Sequence, residues 1–319
     1  MQSLLLFIVG LVLLVAGADH MIERAARLGT RLGVSRLVLG LTVLAFGTSA
    51  PEFVISLLAG LGGSPDLAVG NVVGSNIANV ALVVGLTAIF LPLAVDRLAR
   101  RRDIPYMLAG LALLIVLGLD GIFSRLDAIL LLLYIGGFLA LCTRQALRER
   151  RIQRETAALP AVDPDAASPL TDVLVLLSGL AALVVGAQLM VRAASDIART
   201  IGVSELVIGV SIVAIGTSLP ELATSVIAAV KKELDMSLGN ILGSNIFNTG
   251  FVVGGVALVV PLPVDPQAVA FDMPVMLVIS LLLIPLTLRG RAIGRGAGIL
   301  LVSLFVAYLA GTFLFATSA

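Results

Sequence analysis

Charge, histidine and cysteine are all scarce in this chain of 319 residues. Charged residues make up 13% of it and hydrophobic types 59%, whereas a soluble domain carries roughly 25% charged residues. This balance excludes a soluble enzyme and a nucleic-acid-binding protein. Cys142 and His20 are the only residues of their types, which excludes an intrachain disulfide and a Cys/His zinc site. The net charge of +1 predicts no bulk electrostatic attraction of a partner.

Long apolar runs dominate the chain instead. A helix that crosses a bilayer needs about 20 apolar residues. The sequence predicts ten such spans, at about 3–19, 37–61, 67–91, 104–119, 126–142, 172–191, 206–230, 236–260, 271–288 and 297–316. The fold class is therefore an all-α membrane protein, and its first expected partner is the lipid bilayer.

Basic residues are distributed unevenly between the loops that join these spans. If the N-terminus lies outside, the inside loops hold 18 of the 21 Lys and Arg residues, and the outside loops hold Arg125, Arg192 and Arg199. Cytoplasmic loops of membrane proteins are enriched in basic residues. We therefore expect a multi-pass protein of the plasma (inner) membrane, with both termini outside and a cytoplasmic linker at 144–171.

The sequence repeats itself after 169 residues. Residues 10–85 align without a gap with 179–254, with 33 identities in 76 positions. Because the first span is duplicated, it is a structural helix rather than a signal peptide. The halves 1–143 and 172–319 contain five spans each, so the second half enters the membrane in the opposite orientation. Inverted repeats of this kind are typical of transporters, whose site lies near the midplane between the repeats.

Only two charged residues are predicted to lie deep inside apolar spans, and these are Glu52 and Glu221, which are equivalent under the shift. A charge at the bilayer centre costs about 2.5–3.5 kcal/mol on insertion scales. Since no Lys or Arg lies at comparable depth, protons or a bound cation must compensate. The competing interpretation is a pair of protonated, hydrogen-bonded glutamates that only pack.

Each glutamate ends a Gly-Thr-Ser-x-Pro-Glu segment, at 47–52 and 216–221. Proline removes a backbone donor and clashes with the carbonyl four residues earlier. Thr and Ser commonly cap a new helix start. We therefore expect both helices to break at mid-membrane, with backbone and hydroxyl oxygens facing a cavity lined by protein or water.

The next span of each half adds further polar groups. Ser75 with Asn79, and Ser244 with Asn248, are spaced by four residues and so share a helix face. Glycines spaced by four in the same spans predict close helix approach. Four more asparagines are interpreted as interhelical hydrogen-bonding groups: Asn71, Asn76, Asn240 and Asn245. All candidate ligand atoms are oxygen, which hard cations such as Ca²⁺ and Na⁺ prefer. Two carboxylates balance the charge of one Ca²⁺ or of two monovalent ions, so we expect Ca²⁺ and the monovalent ions to compete for the site.

At these residues the sequence resembles the sodium/calcium exchangers of the cation/Ca²⁺ antiporter superfamily, of the prokaryotic type. The two copies of G-T-S-x-P-E, each followed by G-N-x-x-G-S-N-x-x-N, look like the paired α-repeats of that family. The resemblance implies that helices 2, 3, 7 and 8 form an ion-binding core. It also implies an antiporter and not an enzyme, with Ca²⁺ and Na⁺ as transported ions and no organic cofactor.

The resemblance further implies a role for each candidate ligand. Glu52 and Glu221 would bridge Ca²⁺ and shape the Na⁺ sites. The other implied metal-ion ligands are Ala45, Thr48, Ser49, Ser75, Asn79, Ala214, Thr217, Ser218, Ser244 and Asn248. The two alanines would offer backbone carbonyls, and the serines at 75 and 244 would flank the Na⁺ sites. Because both members of the central polar pair are Asn, K⁺ coupling is disfavoured. Spans 1 and 6 are the implied moving elements.

Three alternatives remain open. The first is H⁺/Ca²⁺ or other cation exchange, because the glutamate pair can itself take protons. The second is an intramembrane diacid hydrolase, which would leave the duplicated hydroxyl and amide groups without a role. The third is a channel, which the inverted repeat disfavours.

Gly10, Gly17, Gly179 and Gly186 fit a sliding surface or simple packing. A single protomer is expected to function alone, with small cations as its soluble partners.

Overall fold

A computed structural model of the protein describes residues 2–155, 168–202, 214–288 and 292–318. Eight helical stretches in these ranges are long and apolar enough to cross a membrane. Regular structure other than helix is limited, within the same ranges, to four two-residue strands. The prediction of an all-helical chain with many membrane spans is therefore confirmed.

The first half contains five long helical elements and two short strands. The helices are α1 (Gln2–Leu32), α2 (Arg36–Leu61), α3 (Pro65–Phe90), α4 (Ile104–Gly118) and α5 (Arg125–Glu155). Strand β1 (Leu93–Ala94) follows α3, and β2 (Ile122–Phe123) follows α4.

The second half repeats this order. The helices are α6 (Pro169–Thr200), α7 (Leu219–Val230, preceded by the short helix Ala214–Thr217), α8 (Leu234–Val259), α9 (Ala268–Leu288) and α10 (Arg295–Ser318). Strand β3 (Leu262–Pro263) follows α8, and β4 (Ala292–Ile293) precedes α10.

Each predicted span falls at least partly on one of these helices, but several boundaries differ. The fourth and seventh spans correspond to α4 and α7, which are shorter than the eight long stretches, and residues 206–213 of the seventh lie outside the described ranges. The count of ten spans therefore stays a prediction. Helices α1 and α6 continue past the predicted ends at 19 and 191, and α5 extends into the predicted linker as far as Glu155. Residues 156–167 of that linker are not described.

Helices α1 and α6 pack tightly against each other as an antiparallel pair. Gly17 faces Gly179 and Gly10 faces Gly186, and a Cβ atom added to Gly17 would lie 2.5 Å from the carbonyl oxygen of Gly179. Small residues let two membrane helices approach to backbone contact. The four glycines therefore join α1 to α6, which is the packing interpretation, and do not line a surface between this pair and the rest of the protein.

Loops predicted to lie on the same side of the membrane contact each other. Strand β1 pairs with β4 and joins the α3–α4 loop to the α9–α10 loop, whereas β2 pairs with β3 and joins the α4–α5 loop to the α8–α9 loop. Polar contacts connect further basic loops and the end of α5, namely Arg36 with Glu233, Arg102 with Gln145 and the Ser35 amide with Glu149. The loops richest in Lys and Arg thus gather at one end of the helix bundle.

Helices α3 and α8 form the centre of the bundle. Their most apolar stretches are 78% and 83% buried inside the protein, against 17–33% for α1, α5, α6, α9 and α10. The outer helices expose apolar side chains, as helices in contact with lipid do. Polar groups on α3 and α8 are therefore shielded from lipid by the rest of the bundle.

Candidate ion-binding site

Both predicted helix breaks are present, and each is confined to one residue. Helix α2 is interrupted at Ser49 (φ −83°, ψ −1°), and α7 begins after Ser218 (φ −90°, ψ 5°). The predicted capping role of these residues is wrong, because neither serine side chain caps the new helix. The prolines at 51 and 220 remove an amide that a capping oxygen normally binds. Both serine hydroxyls are buried with no hydrogen-bond partner in the described part of the chain, and are free to bind a ligand.

Glu52 and Glu221 lie in the first turn after each break and are fully buried. None of their carboxylate oxygens has a hydrogen-bond partner among the described residues. The two carboxylates are close enough to repel each other. The helix N-termini that they occupy favour negative charge. Protonated glutamates that only pack would need hydrogen-bond partners, and neither carboxyl group has one of normal geometry among the described residues, so the arrangement favours a cation as the compensating partner.

Hydroxyl groups from the two halves meet beside the carboxylates. The Oγ1 atom of Thr48 lies 3.2 Å from the Oγ atom of Ser244, and the equivalent atoms of Thr217 and Ser75 are 3.4 Å apart. Thr48, Ser244 and Ser49 also lie close to the Glu221 carboxylate, although none of them makes a hydrogen bond of normal length and angle with it. Each carboxylate region is therefore built from side chains of both halves, as the sequence predicts for a site at their interface.

The central asparagines differ in their contacts. The Nδ2 atom of Asn79 donates to the Oδ1 atom of Asn245 at 3.0 Å, whereas neither polar atom of Asn248 has a partner in the described ranges. Each asparagine begins a π-helical segment, Asn79–Val84 or Asn248–Val253. Such segments are frequent at functional sites. The sequence reasoning missed them, because a spacing of four residues is equally compatible with an uninterrupted α-helix.

The predicted carbonyl ligands are less accessible than the side chains. The Ala45 carbonyl accepts from the Ser49 amide at 3.0 Å and from the Thr48 hydroxyl at 3.4 Å. A carbonyl oxygen has two lone pairs, so a cation could bind it only after the Thr48 hydroxyl turns away. Ala214 begins the short helix that precedes α7, and its side chain lies outside the described part of the structure.

The remaining asparagines make the interhelical hydrogen bonds expected of them, and the bonds come in equivalent pairs. The Nδ2 atom of Asn71 lies 3.0 Å from the Ser56 hydroxyl, and that of Asn240 lies 3.2 Å from the Ser225 hydroxyl. Two others reach methionine sulfur atoms across the halves: Asn76 to Met276 at 3.7 Å and Asn245 to Met107 at 3.5 Å. Reciprocal contacts of this kind are what an approximate twofold relation between two halves produces.

Close backbone contact positions α8 beside α2. A Cβ atom added to Gly239 or Gly243 would lie 2.7 Å from the carbonyl oxygen of Leu37 or Leu41. The predicted close approach is confirmed for these two glycines. For Gly70 and Gly74, the equivalent neighbours fall within 206–210 and lie outside the described residues.

The donor set as a whole consists of two carboxylates and several neutral oxygens. The described residues contain no group of three or more His, Cys, Asp or Glu side chains that could hold a metal ion. Fewer charged ligands give weaker Ca²⁺ binding. The arrangement is therefore suited to an ion that must be released again, rather than to a permanently bound metal.

Comparison with known proteins supports the same reading. The family model described as sodium/calcium exchanger protein matches residues 2–144 and 171–314. The chain belongs to the sodium/calcium exchanger family. Inner membrane protein YrbG of Escherichia coli is 39% identical over 312 residues, which cover 96% of this chain and 95% of YrbG. The sodium/calcium exchanger MaX1 of Methanosarcina acetivorans is 33% identical over an alignment 340 positions long, which covers 96% of this chain and 97% of MaX1.

A solved structure of the sodium-calcium exchanger NCX_Mj has the same fold. It aligns with a TM-score of 0.81 at 34% identity, covering 97% of this chain and 98% of NCX_Mj. This member of the sodium/calcium exchanger family is thus a multi-pass cation/Ca²⁺ antiporter. The resemblance inferred from the paired motifs is confirmed, and the family is one of exchangers and not of enzymes.

Proposed function

We propose that this protein exchanges Na⁺ for Ca²⁺, with one Ca²⁺ and several Na⁺ competing for a single site between α2, α3, α7 and α8. The observation that carries the proposal is the pair of fully buried carboxylates, Glu52 and Glu221, without hydrogen-bond partners in the described residues. One Ca²⁺ neutralises both charges, and so do two Na⁺ ions. Either ion therefore offsets the desolvation of the same pair.

Neutral oxygen atoms complete the proposed coordination. The hydroxyls of Ser49 and Ser218 are buried without partners, as is Asn248, and they supply oxygens close to the glutamates. Thr48 with Ser244, and Thr217 with Ser75, flank the carboxylates on two sides and are assigned to Na⁺. Asn79, Ala45 and Ala214 complete the set taken over from the family resemblance. No organic cofactor takes part.

The proposed topology is two inverted repeats of five helices, 1–143 and 172–319, in the plasma (inner) membrane. The end of the bundle where the basic loops gather faces the cytoplasm, with both chain termini outside and the linker 144–171 inside. The contacts between those loops support this, because Lys and Arg are enriched on the cytoplasmic side. The α1–α6 pair moves as one unit to expose the site to either side, and a single protomer in the bilayer is sufficient.

Sodium is the proposed coupling ion, and protons are the alternative. The names of MaX1 and NCX_Mj both specify sodium/calcium exchange, and NCX_Mj has been soaked with Na⁺ together with Ca²⁺ or Sr²⁺. The glutamate pair could instead carry protons. Uptake of ⁴⁵Ca²⁺ into proteoliposomes separates the two cases. We expect uptake with an outward Na⁺ gradient at equal pH; uptake driven by a pH gradient in the absence of Na⁺ would support the alternative.

The same assay tests the site. Glu52→Gln and Glu221→Gln each remove one of the two charges and are expected to abolish Na⁺-driven ⁴⁵Ca²⁺ uptake. Glu23→Gln is the matched control, because Glu23 is a partly exposed acid paired with Arg27 at 2.8 Å. It should transport at the wild-type rate. Normal transport by both site variants would overturn the assignment.

A further inference from the structure

A cavity of about 160 Å³ lies between α6, α2 and α7. Pro51, Thr217 and Pro220 form part of its wall, and the two prolines directly precede the site glutamates. Helix α6 supplies five of the other lining residues, of which Val184, Ala187 and Val191 are apolar. The cavity therefore lies against the two broken segments, next in sequence to the site glutamates.

Arg192 also lines this cavity, one helical turn after Gln188. It forms no ion pair or hydrogen bond with any residue that the structure describes. By contrast Arg199, two turns further along α6, pairs with Asp196 at 3.0 Å. Arg192 thus places a positive charge, which no described residue neutralises, in the wall of a cavity beside the proposed cation-binding site, where it repels cations.

The charge at Arg192 is not duplicated in the other half. Under the 169-residue shift, Gln188 corresponds to Asp19 and Arg192 corresponds to Glu23. Both acids on α1 are already paired, Asp19 with Lys231 at 2.7 Å and Glu23 with an arginine on its own helix. The two equivalent regions of the protein therefore differ in charge, and an effect of Arg192 should be confined to one face of the membrane.

We propose that Arg192 is a specificity-determining residue that opposes Ca²⁺ entry on its own face more strongly than Na⁺ entry. This inference rests on the proposed exchange function. An electrostatic potential changes the energy of each ion in proportion to its charge. The factor by which it changes the half-saturating concentration is therefore squared for Ca²⁺ relative to Na⁺. For a unit charge at a distance on the order of 10 Å in a water-like medium, the factors are about twofold for Na⁺ and about fourfold for Ca²⁺. In the proposed orientation, the arginine favours Ca²⁺ release and Na⁺ loading at the outer face.

Sealed vesicles of both orientations test this, since they give the half-saturating Ca²⁺ and Na⁺ concentrations at each face. Arg192→Gln should lower the half-saturating Ca²⁺ concentration about fourfold and that of Na⁺ about twofold, on one face only and at an unchanged maximal rate. Added choline chloride should shrink both shifts by screening. Gln188→Glu, which places a compensating acid one turn away, should shift both values in the same direction.

Two controls separate charge from structure. Arg192→Lys keeps the charge and should retain wild-type values, and Arg199→Gln removes an arginine that Asp196 already balances. Unchanged Ca²⁺ values in Arg192→Gln, equal factors for both ions, shifts at both faces, or a lysine variant that behaves like glutamine would each overturn the proposal. If wild-type uptake is driven by protons, the exchange function fails, but the Ca²⁺ values of these variants still decide the role of Arg192.

Discussion

The buried carboxylate of Asp172 provides a quantitative test of how α1 and α6 are held together. Its Oδ1 atom lies 3.2 Å from Nη1 of Arg24, and its Oδ2 atom lies 3.1 Å from Nη1 of Arg31. The Asp172 side chain is fully buried, and each arginine side chain is 19% exposed. Asp172→Asn keeps the size of the side chain, but it removes the charge and leaves two arginines without their shared partner.

The size of the effect follows from these distances. At an effective dielectric constant near 20, each ion pair contributes about 5 kcal/mol of attraction, most of which offsets desolvation. Breaking a buried ion pair on one side costs about 3–5 kcal/mol. Because both arginines keep some contact with solvent, we expect about 3 kcal/mol here. At roughly 2 °C per kcal/mol for a chain of this size, the apparent Tm should fall by about 6 °C.

Thermal unfolding of the detergent-solubilised protein measures this shift. Asp196→Asn is the control on the same helix, because its ion pair with Arg199 is about half exposed on both sides. An exposed pair of this kind contributes at most about 1 kcal/mol. Equal Tm changes in the two variants would refute the reasoning, and so would full additivity of Asp172→Asn with Arg24→Gln, since residues in one ion-pair network should be coupled.

Three further substitutions test other parts of the structure. Gly17→Val inserts a side chain where a Cβ atom meets a backbone oxygen at 2.5 Å, and should lower stability by at least about 2 kcal/mol, whereas Gly136→Ala, with open space around it, should be tolerated. Asn248→Ala removes two buried atoms without partners in the described residues; it should leave the ion-free Tm unchanged or raise it, while the half-saturating Ca²⁺ concentration rises. Lys231→Met breaks the partly exposed pair with Asp19 and should change stability by less than about 1 kcal/mol, while altering the ratio of half-saturating Ca²⁺ at the two faces by up to about fivefold.

The glutamates were predictable because their signal combines two independent patterns. Charge inside an apolar run is costly wherever it occurs, and the same charge appears twice at a shift of 169 residues. Helix ends were less predictable, because hydropathy measures the length in contact with lipid and not the length of the backbone hydrogen-bond ladder. Helix α1 continues to Leu32, and its residues Arg24 and Arg31 form ion pairs with Asp172 on α6. No local sequence pattern reveals this contact between two helices.

The backbone details of the site were predictable only in part. Ser49 and Ser218 occupy positions where serine normally caps a helix, yet the proline two residues later removes one of the amides to be capped. The π-helical turns that begin at Asn79 and Asn248 insert one extra residue into a turn without any change in composition. Such a turn is retained only when packing around it compensates, so it is visible in the fold and not in the sequence.

The unpartnered atoms of the site bear on why such a protein exchanges ions instead of leaking them. Within the described residues, carboxylate, hydroxyl and amide groups without hydrogen-bond partners occur together at Glu52, Glu221, Ser49, Ser218 and Asn248. A buried ion pair that loses one partner costs about 3–5 kcal/mol. A movement of the α1–α6 pair past a site without cations would carry that cost for two carboxylates, whereas the movement with Ca²⁺ or Na⁺ bound would not. In the proposed exchange cycle the ion-bound forms are favoured by this difference, so release of one ion would be coupled to binding of the other before the site reorients.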